Sequence, residues 1–137
     1  MIYITRRERF NSAHKLSRDD WSEEKNLQIF GKCANPNYHG HNYDLLVTVK
    51  GEPHPDTGCV LDLRALKAIV LEYVIDKLDH KNINLDVDFM MGKMASTEIL
   101  AIEIWKQLFT PIAQAGAQLH AIKIIETENN MVEYFGE

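Results

Sequence analysis

His39-Gly40-His41 is the sharpest chemical feature of this sequence. On an extended strand residues i and i+2 point to one face, so both imidazoles can reach a common point. Gly40 leaves room for close approach, and His14, at the end of a strand-like run, offers a third ring. Three neutral imidazoles would bind Zn²⁺ with its full double charge and leave a fourth position open for water or substrate. The plain alternative is a turn carrying two solvated histidines. Cys33 precedes His39 by six residues, and the intervening Asn35-Pro36-Asn37 is turn-forming, so the thiol can fold back toward the same point. Cys33 then either closes a structural Cys-His₃ site or stays unligated as a base or nucleophile, its thiolate stabilised by the nearby cation. Spacing does not separate these two.

Asp79-His80 follows a long helical pattern. A carboxylate beside an imidazole orients the ring and raises its basicity, and a helix C-terminus also favours imidazolium, which suits acid–base work. Such residues are also ordinary caps at helix ends. Ile122, Ile124 and Glu126 alternate with Lys123, Ile125 and Thr127, so the acid can share the face of Ile122 and Ile124, and a carboxylate on an apolar face must be paired. It could accept two parallel hydrogen bonds from the amide–amino edge of a pterin- or guanine-like ring, or it could end in an exposed ion pair with Lys123. Ser96 and Thr97 head a helix, where their default role is N-capping, although hydroxyls there can also hold a ligand.

Positioning these residues requires strands and helices. Residues 2–13 and 41–50 are rich in β-branched and aromatic types and predict strands, the second ending at the turn-rich GEPHPDTG. A short helix is expected over Glu23–Phe30. Asp62 is a candidate N-cap for a helix over Leu63–Leu78, where Leu66, Ile69, Val70, Tyr73, Val74 and Leu78 form one apolar stripe. Another helix is expected over Thr97–Phe109, ended by Pro111. AIKIIETE, Asn129-Asn130 and MVEYF predict a terminal hairpin, Asn supplying the positive φ of its turn. Four strands and two long one-sided helices give an α+β class, and an open sheet leaves edges that another copy could pair.

The chain has 137 residues, a net charge of −5, 45% apolar and 26% charged residues, which bounds the rest. That length predicts a single domain over residues 1–137 able to bury its own core. The acidic balance excludes a general nucleic-acid binder. No apolar run approaches the ~20 residues of a membrane span, and the charged MIYITRRERF is no secretory leader, so a cytoplasmic location is expected. The two cysteines are then not expected to form a disulfide, and Cys59 is expected to be packing.

The ordered stretches FNSAHKL, NLQIFGKCANPNYHGHNYDLLVTVKGE, DTG, LDHKNIN, STEILAIEIW and ETENN together resemble the 6-pyruvoyl tetrahydropterin synthases and their relatives, the 6-carboxytetrahydropterin synthases of queuosine biosynthesis. The resemblance implies one zinc per subunit on His14, His39 and His41, a catalytic Cys33, an acid–base pair Asp79 and His80, and Glu126 anchoring the pterin with Ser96 and Thr97 beside it. It implies the tunnelling fold: a four-stranded antiparallel sheet with two helices on one face. Three such subunits close a barrel, two barrels stack into a hexamer, and active sites lie between subunits. The implied reaction converts 7,8-dihydroneopterin triphosphate to 6-pyruvoyl-tetrahydropterin with loss of triphosphate, a lyase reaction. Lys15, Lys25, Lys32 and Lys93 are candidate cations for that triphosphate, which Mg²⁺ could accompany. Five residues between Cys33 and His39 resemble the pyruvoyl-forming enzymes, whereas Ala95-Ser96-Thr97 departs from their run of three hydroxyls. The alternatives are a 6-carboxytetrahydropterin synthase and a non-catalytic pterin-binding module with a closed Cys-His₃ zinc.

Overall fold

Alternation builds the sheet. Strands β1 (Ile2–His14) and β2 (His39–Gly51) pair antiparallel along their whole length, from Ile2 opposite Gly51 to His14 opposite His39. Phe10, Ser12 and His14 from β1 and Tyr43, Leu45, Val47 and Val49 from β2 face inward and are buried, while their neighbours face out. On the outer face Asp44 accepts from both Arg7 and Arg9, a cross-strand ion cluster. The computed structural model describes every residue from Met1 to Glu137.

Strands β4 (Gln118–Thr127) and β5 (Asn130–Tyr134) form the terminal hairpin, β4 pairing with β2. The turn falls at Glu128-Asn129, one residue earlier than expected, and neither asparagine takes positive φ. Instead the Thr127 hydroxyl accepts the N–H groups of Asn129 and Asn130, closing the turn with a side chain.

The expected four-stranded antiparallel sheet is corrected to a five-stranded mixed one, ordered β3-β1-β2-β4-β5. The addition, β3 (Lys81–Asn82), runs parallel to β1. Two residues carry no readable periodicity. β3 exists because the chain after Asp79 is zipped to β1 by backbone bonds, His80 N–H to the Asn11 carbonyl and Ile83 N–H to that of Ala13.

Helix α1 (Glu23–Phe30) matches expectation, capped by Ser22, whose side chain accepts from Lys25 N–H. Asp62 caps α2 (Leu63–Val70) by accepting from Arg64 N–H. The expected helix to Leu78 is continuous but passes through a π turn over Leu71–Ile75 into a last turn, α3 (Asp76–Leu78). Leu66, Val70, Val74 and Leu78 are all fully buried. Spaced by four, they would drift about 40° per step around a straight α-helix, and the wider π turn takes up that drift.

Helix α4 runs Thr97–Gln114 and does not stop at Pro111. Proline removes one amide donor, but Ile112 is fully buried beyond it, and the Pro111 carbonyl still accepts from Ala115. Both helical layers cover one face of the sheet, and a single cluster of 24 buried residues lies between them. Cys59 is not packing: it is exposed at the end of the turn-rich loop after β2, where Gly58 takes a positive φ and the chain turns inward only from Val60 and Leu61. No helix is long and apolar enough to cross a membrane.

Candidate metal centre and active-site cleft

The strand register that buries the core also places the histidines. His39 and His41 lie two apart on the inward face of β2, and His14 sits opposite His39 on the inward face of β1. Ring centroids are 4.6 Å apart for His14–His39, 4.9 Å for His39–His41 and 5.1 Å for His14–His41. One nitrogen from each ring falls within 4.8 Å of the others. Gly40 eases the close approach of the strands here, because a Cβ would stand a tight 3.3 Å from the Ser12 carbonyl oxygen on the facing strand.

His14 is 3% exposed, and its Nδ1 lies 2.7 Å from the Ala95 carbonyl. That bond fixes the ring and leaves Nε2 facing the other imidazoles. His14 Nε2, His39 Nδ1 and His41 Nε2 are all buried without a hydrogen-bond partner. Burial pushes the pKa of each imidazole below 6.5, so all three are neutral and carry lone pairs. Converging, neutral, orphaned ring nitrogens are what a divalent metal requires, and burying them unmet would cost free energy. The donor set therefore fits a metal ion. The Cys33 sulfur and the Glu126 carboxylate stand outside this group of ligand atoms.

Glu126 reaches the same place from β4. The ladder between β4 and β5 slips between Ile125 and Thr127, leaving Glu126 without a partner there, and alternation keeps its side chain on the inward face with Ile122 and Ile124. One carboxylate oxygen lies 3.5 Å from His41 Nε2, and the other accepts from the Thr97 hydroxyl. Ser96 is the N-cap of α4, accepting from Ile99 N–H at 3.3 Å. The default expectation for Ser96 thus holds, while Thr97 turns to the carboxylate.

Cys33 lies in a short 3-10 turn, Gly31–Ala34, and the Asn35–Tyr38 turn reverses the chain into β2. The thiol thereby shares a cleft of about 460 Å³ with His14, Ser96, Thr97 and Glu126, a volume in the range of small-molecule sites. Asn129, Asn130 and Met131 from the hairpin complete the wall. Sequence reasoning missed them, since their contribution depends on where the hairpin folds back. It also missed the Ala95 carbonyl, which no side-chain pattern reports.

Asp79 and His80 are not brought to this cleft. They form a pair, His80 Nδ1 to Asp79 Oδ2 at 3.0 Å, and Asp79 lines a separate depression with Arg9, Asn11, Asn42 and Asp44. Asp79 Oδ1 accepts the Asn11 N–H, which together with His80 holds its pKa below the usual carboxylate value. His80 takes a left-handed φ of 61°, and its side chain is 83% exposed. Of the lysines, Lys93 is engaged by Glu103 and the Phe89 carbonyl, and Lys15 and Lys25 lie over the rings of Tyr38 and Trp21.

Residues 3–137 match the family described as 6-pyruvoyl tetrahydropterin synthase. The chain is 47% identical over 136 residues to the 6-pyruvoyl tetrahydrobiopterin synthase of Dictyostelium discoideum, covering 99% of this chain and 97% of that one. It is 43% identical over 134 residues to the human protein of the same name, covering 98% and 91%. Among solved structures it superimposes on the 6-pyruvoyl tetrahydropterin synthase of Caenorhabditis elegans with a TM-score of 0.91 and 34% identity, covering 99% and 96%. A match over nearly the whole chain, joined to the histidine centre and its cleft, places the protein: it belongs to the 6-pyruvoyl tetrahydropterin synthase family.

Proposed function

We propose that this protein is a zinc-dependent 6-pyruvoyl tetrahydropterin synthase, converting 7,8-dihydroneopterin triphosphate to 6-pyruvoyl-tetrahydropterin and triphosphate. The observation that carries the reading is the convergence of three orphaned imidazole nitrogens with Glu126, Thr97 and Cys33 around one cleft. His14, His39 and His41 would hold one zinc per subunit with a coordination position free. The chemistry supplied by such an ion is Lewis-acid polarisation of side-chain hydroxyls on the substrate, which acidifies the C–H bonds beside them.

The protein's own groups do the rest. Glu126 accepts paired hydrogen bonds from the pterin edge, with Thr97 orienting its carboxylate, so that the substrate side chain points toward the histidines. Cys33 moves a proton as thiolate on one face. Asp79 and His80 form the second acid–base pair, and their position outside the cleft supports a site completed by a neighbouring subunit. That arrangement agrees with the barrel-forming hexamer and active sites between subunits that the resemblance implies. Lys32, adjacent to Cys33 and exposed, supports a triphosphate contact near the thiol. Lys93 is less suited, being committed to Glu103.

The position of the Cys33 sulfur outside the ligand group speaks for an open site and against a closed Cys-His₃ module. The test is product identification after incubating zinc-loaded protein with 7,8-dihydroneopterin triphosphate. Triphosphate release with a 6-pyruvoyl product is expected. Acetaldehyde would instead assign the 6-carboxy reaction, and no turnover would leave a binding module.

A further inference from the structure

One side chain outside the cleft ties its parts together. Asn84 Oδ1 accepts the Lys15 N–H at 2.9 Å, and Asn84 Nδ2 donates to the Lys15 carbonyl at 3.0 Å. An amide that grips both peptide groups of one residue imitates a strand partner, and it does so just where β1 has ended. One residue further, the Leu16 N–H donates to the Cys33 carbonyl at 2.8 Å. Asn84 is itself held, because its N–H donates to Asn82 Oδ1 at 3.0 Å and the preceding Ile83 N–H bonds to Ala13. A continuous path of hydrogen bonds thus runs from the segment after Asp79-His80, through Asn84 and the Lys15–Leu16 backbone, to the turn that carries Cys33.

His14 has independent support: it pairs with His39 in the sheet, and its ring is fixed by Ala95. Cys33 sits in a turn of only four residues, and the Leu16 bond joins that turn to the end of β1. We propose that Asn84 is a positioning residue for Cys33, setting where the thiol stands relative to the histidine centre by clamping the Lys15 peptide groups. The inference rests on reading Cys33 as the proton-transferring group. It concerns the placement of the thiol and not the binding of the metal.

The experiment compares Asn84→Ala and Asn84→Asp in the full chain carrying Cys59→Ser, so that iodoacetamide reports on Cys33 alone. Asn84→Asp keeps the acceptor for the Lys15 N–H and loses the donor. In Asn84→Ala zinc affinity is expected to stay within about twofold, and kcat to fall about 10–100-fold at unchanged KM, the scale of a misplaced reacting group. Cys33 is expected to alkylate several-fold faster as its turn loosens, with Asn84→Asp intermediate in both readouts. Wild-type kcat and alkylation rate in Asn84→Ala would overturn the proposal. A fall in kcat matched by an equal loss of zinc affinity would overturn it too, moving the effect to His14. If the parent protein turns over no dihydroneopterin triphosphate, the functional reading fails while the alkylation rates still decide Asn84. Should Asn84→Ala not fold, Asn84→Asp carries the same comparison.

Discussion

The imidazoles of His14, His39 and His41 carry buried nitrogens that find no partner in the protein, and each ring's pKa is pushed down by burial. Buried polar atoms left unmet cost free energy, and a metal ion held by the three rings would remove that cost. His39→Ala removes one of three donors and is expected to weaken zinc by more than the roughly 10–100-fold lost with an outer-sphere partner. Metal titration by competition with a chromophoric chelator measures this, with circular dichroism confirming the fold. Cys33 is a different kind of residue. Its sulfur is outside the ligand set, so Cys33→Ala is expected to retain zinc while kcat falls by at least about 10²-fold, the scale of a lost acid–base group. Zinc lost in proportion to activity in that variant would instead make Cys33 a ligand. His14, His39, His41, Cys33 and Glu126 were all legible as candidates from type and spacing. The alternatives left open by spacing, ligand or base for Cys33 and anchor or surface ion pair for Glu126, turn on where side chains point.

At the level of elements, caps and stripes were readable because they are local. Asp62 caps as its sequence context dictates, and of the Leu66–Leu78 stripe Leu66, Val70, Val74 and Leu78 are fully buried while Ile69 and Tyr73 are half-buried beside them. The departures each have a tertiary cause: the π turn keeps a four-spaced stripe on the core, and buried Ile112 carries α4 past Pro111. Helix α4 also carries a buried carboxylate, Glu103, side chain 7% exposed, paired with Lys93 at 2.9 Å and Lys106 at 2.7 Å. Burial pushes its pKa up, but the two ammonium groups outweigh that and hold it below the ordinary glutamate value of 4.5. A depressed carboxylate stabilises the fold fully above its unfolded pKa and loses that contribution as pH falls through the folded one. Glu103→Gln is expected to cost about 1–2 kcal/mol at pH 7. The gap between variant and parent should narrow as the pH falls through the depressed folded pKa of Glu103, where the protonated acid comes to resemble the neutral amide. Urea denaturation at pH 7 and pH 3.5 checks both statements.

Over the whole molecule, the sheet ends in two edge strands, β3 and β5, each free on one side, and the Asp79-His80 pair lies outside the cleft that holds Cys33. A molecule whose reactive groups face apart within one chain can bring them together between copies. If each site takes Cys33 from one subunit and His80 from another, Cys33→Ala and His80→Ala proteins, each inactive alone, should complement after subunit exchange. Random mixing in equal amounts leaves both residues intact at roughly one quarter of sites, so about that fraction of wild-type turnover is expected. Mixtures that remain inactive after exchange is verified by mass spectrometry would place all three catalytic groups in one subunit. With a net charge of −5, the triphosphate of the proposed substrate would have to be met by cations held locally.

Local chemistry was determined by the sequence alone: two histidines spaced for one face of a strand, a cysteine returned by an Asn-Pro-Asn turn, caps, stripes and the α+β class. These are fixed by periodicity and by the stereochemistry of a few residues. Tertiary structure decided what depends on distant partners. The full-length β1–β2 register sets His14 beside His39, a two-residue parallel strand adds itself to the sheet, and the pairing of β4 with β2 brings Glu126 to His41. It also parted Asp79-His80 from the other candidates. None of these is encoded within a window of neighbouring residues, because His14 and His39 are 25 positions apart, Ser12 and Lys81 69, and His41 and Glu126 85.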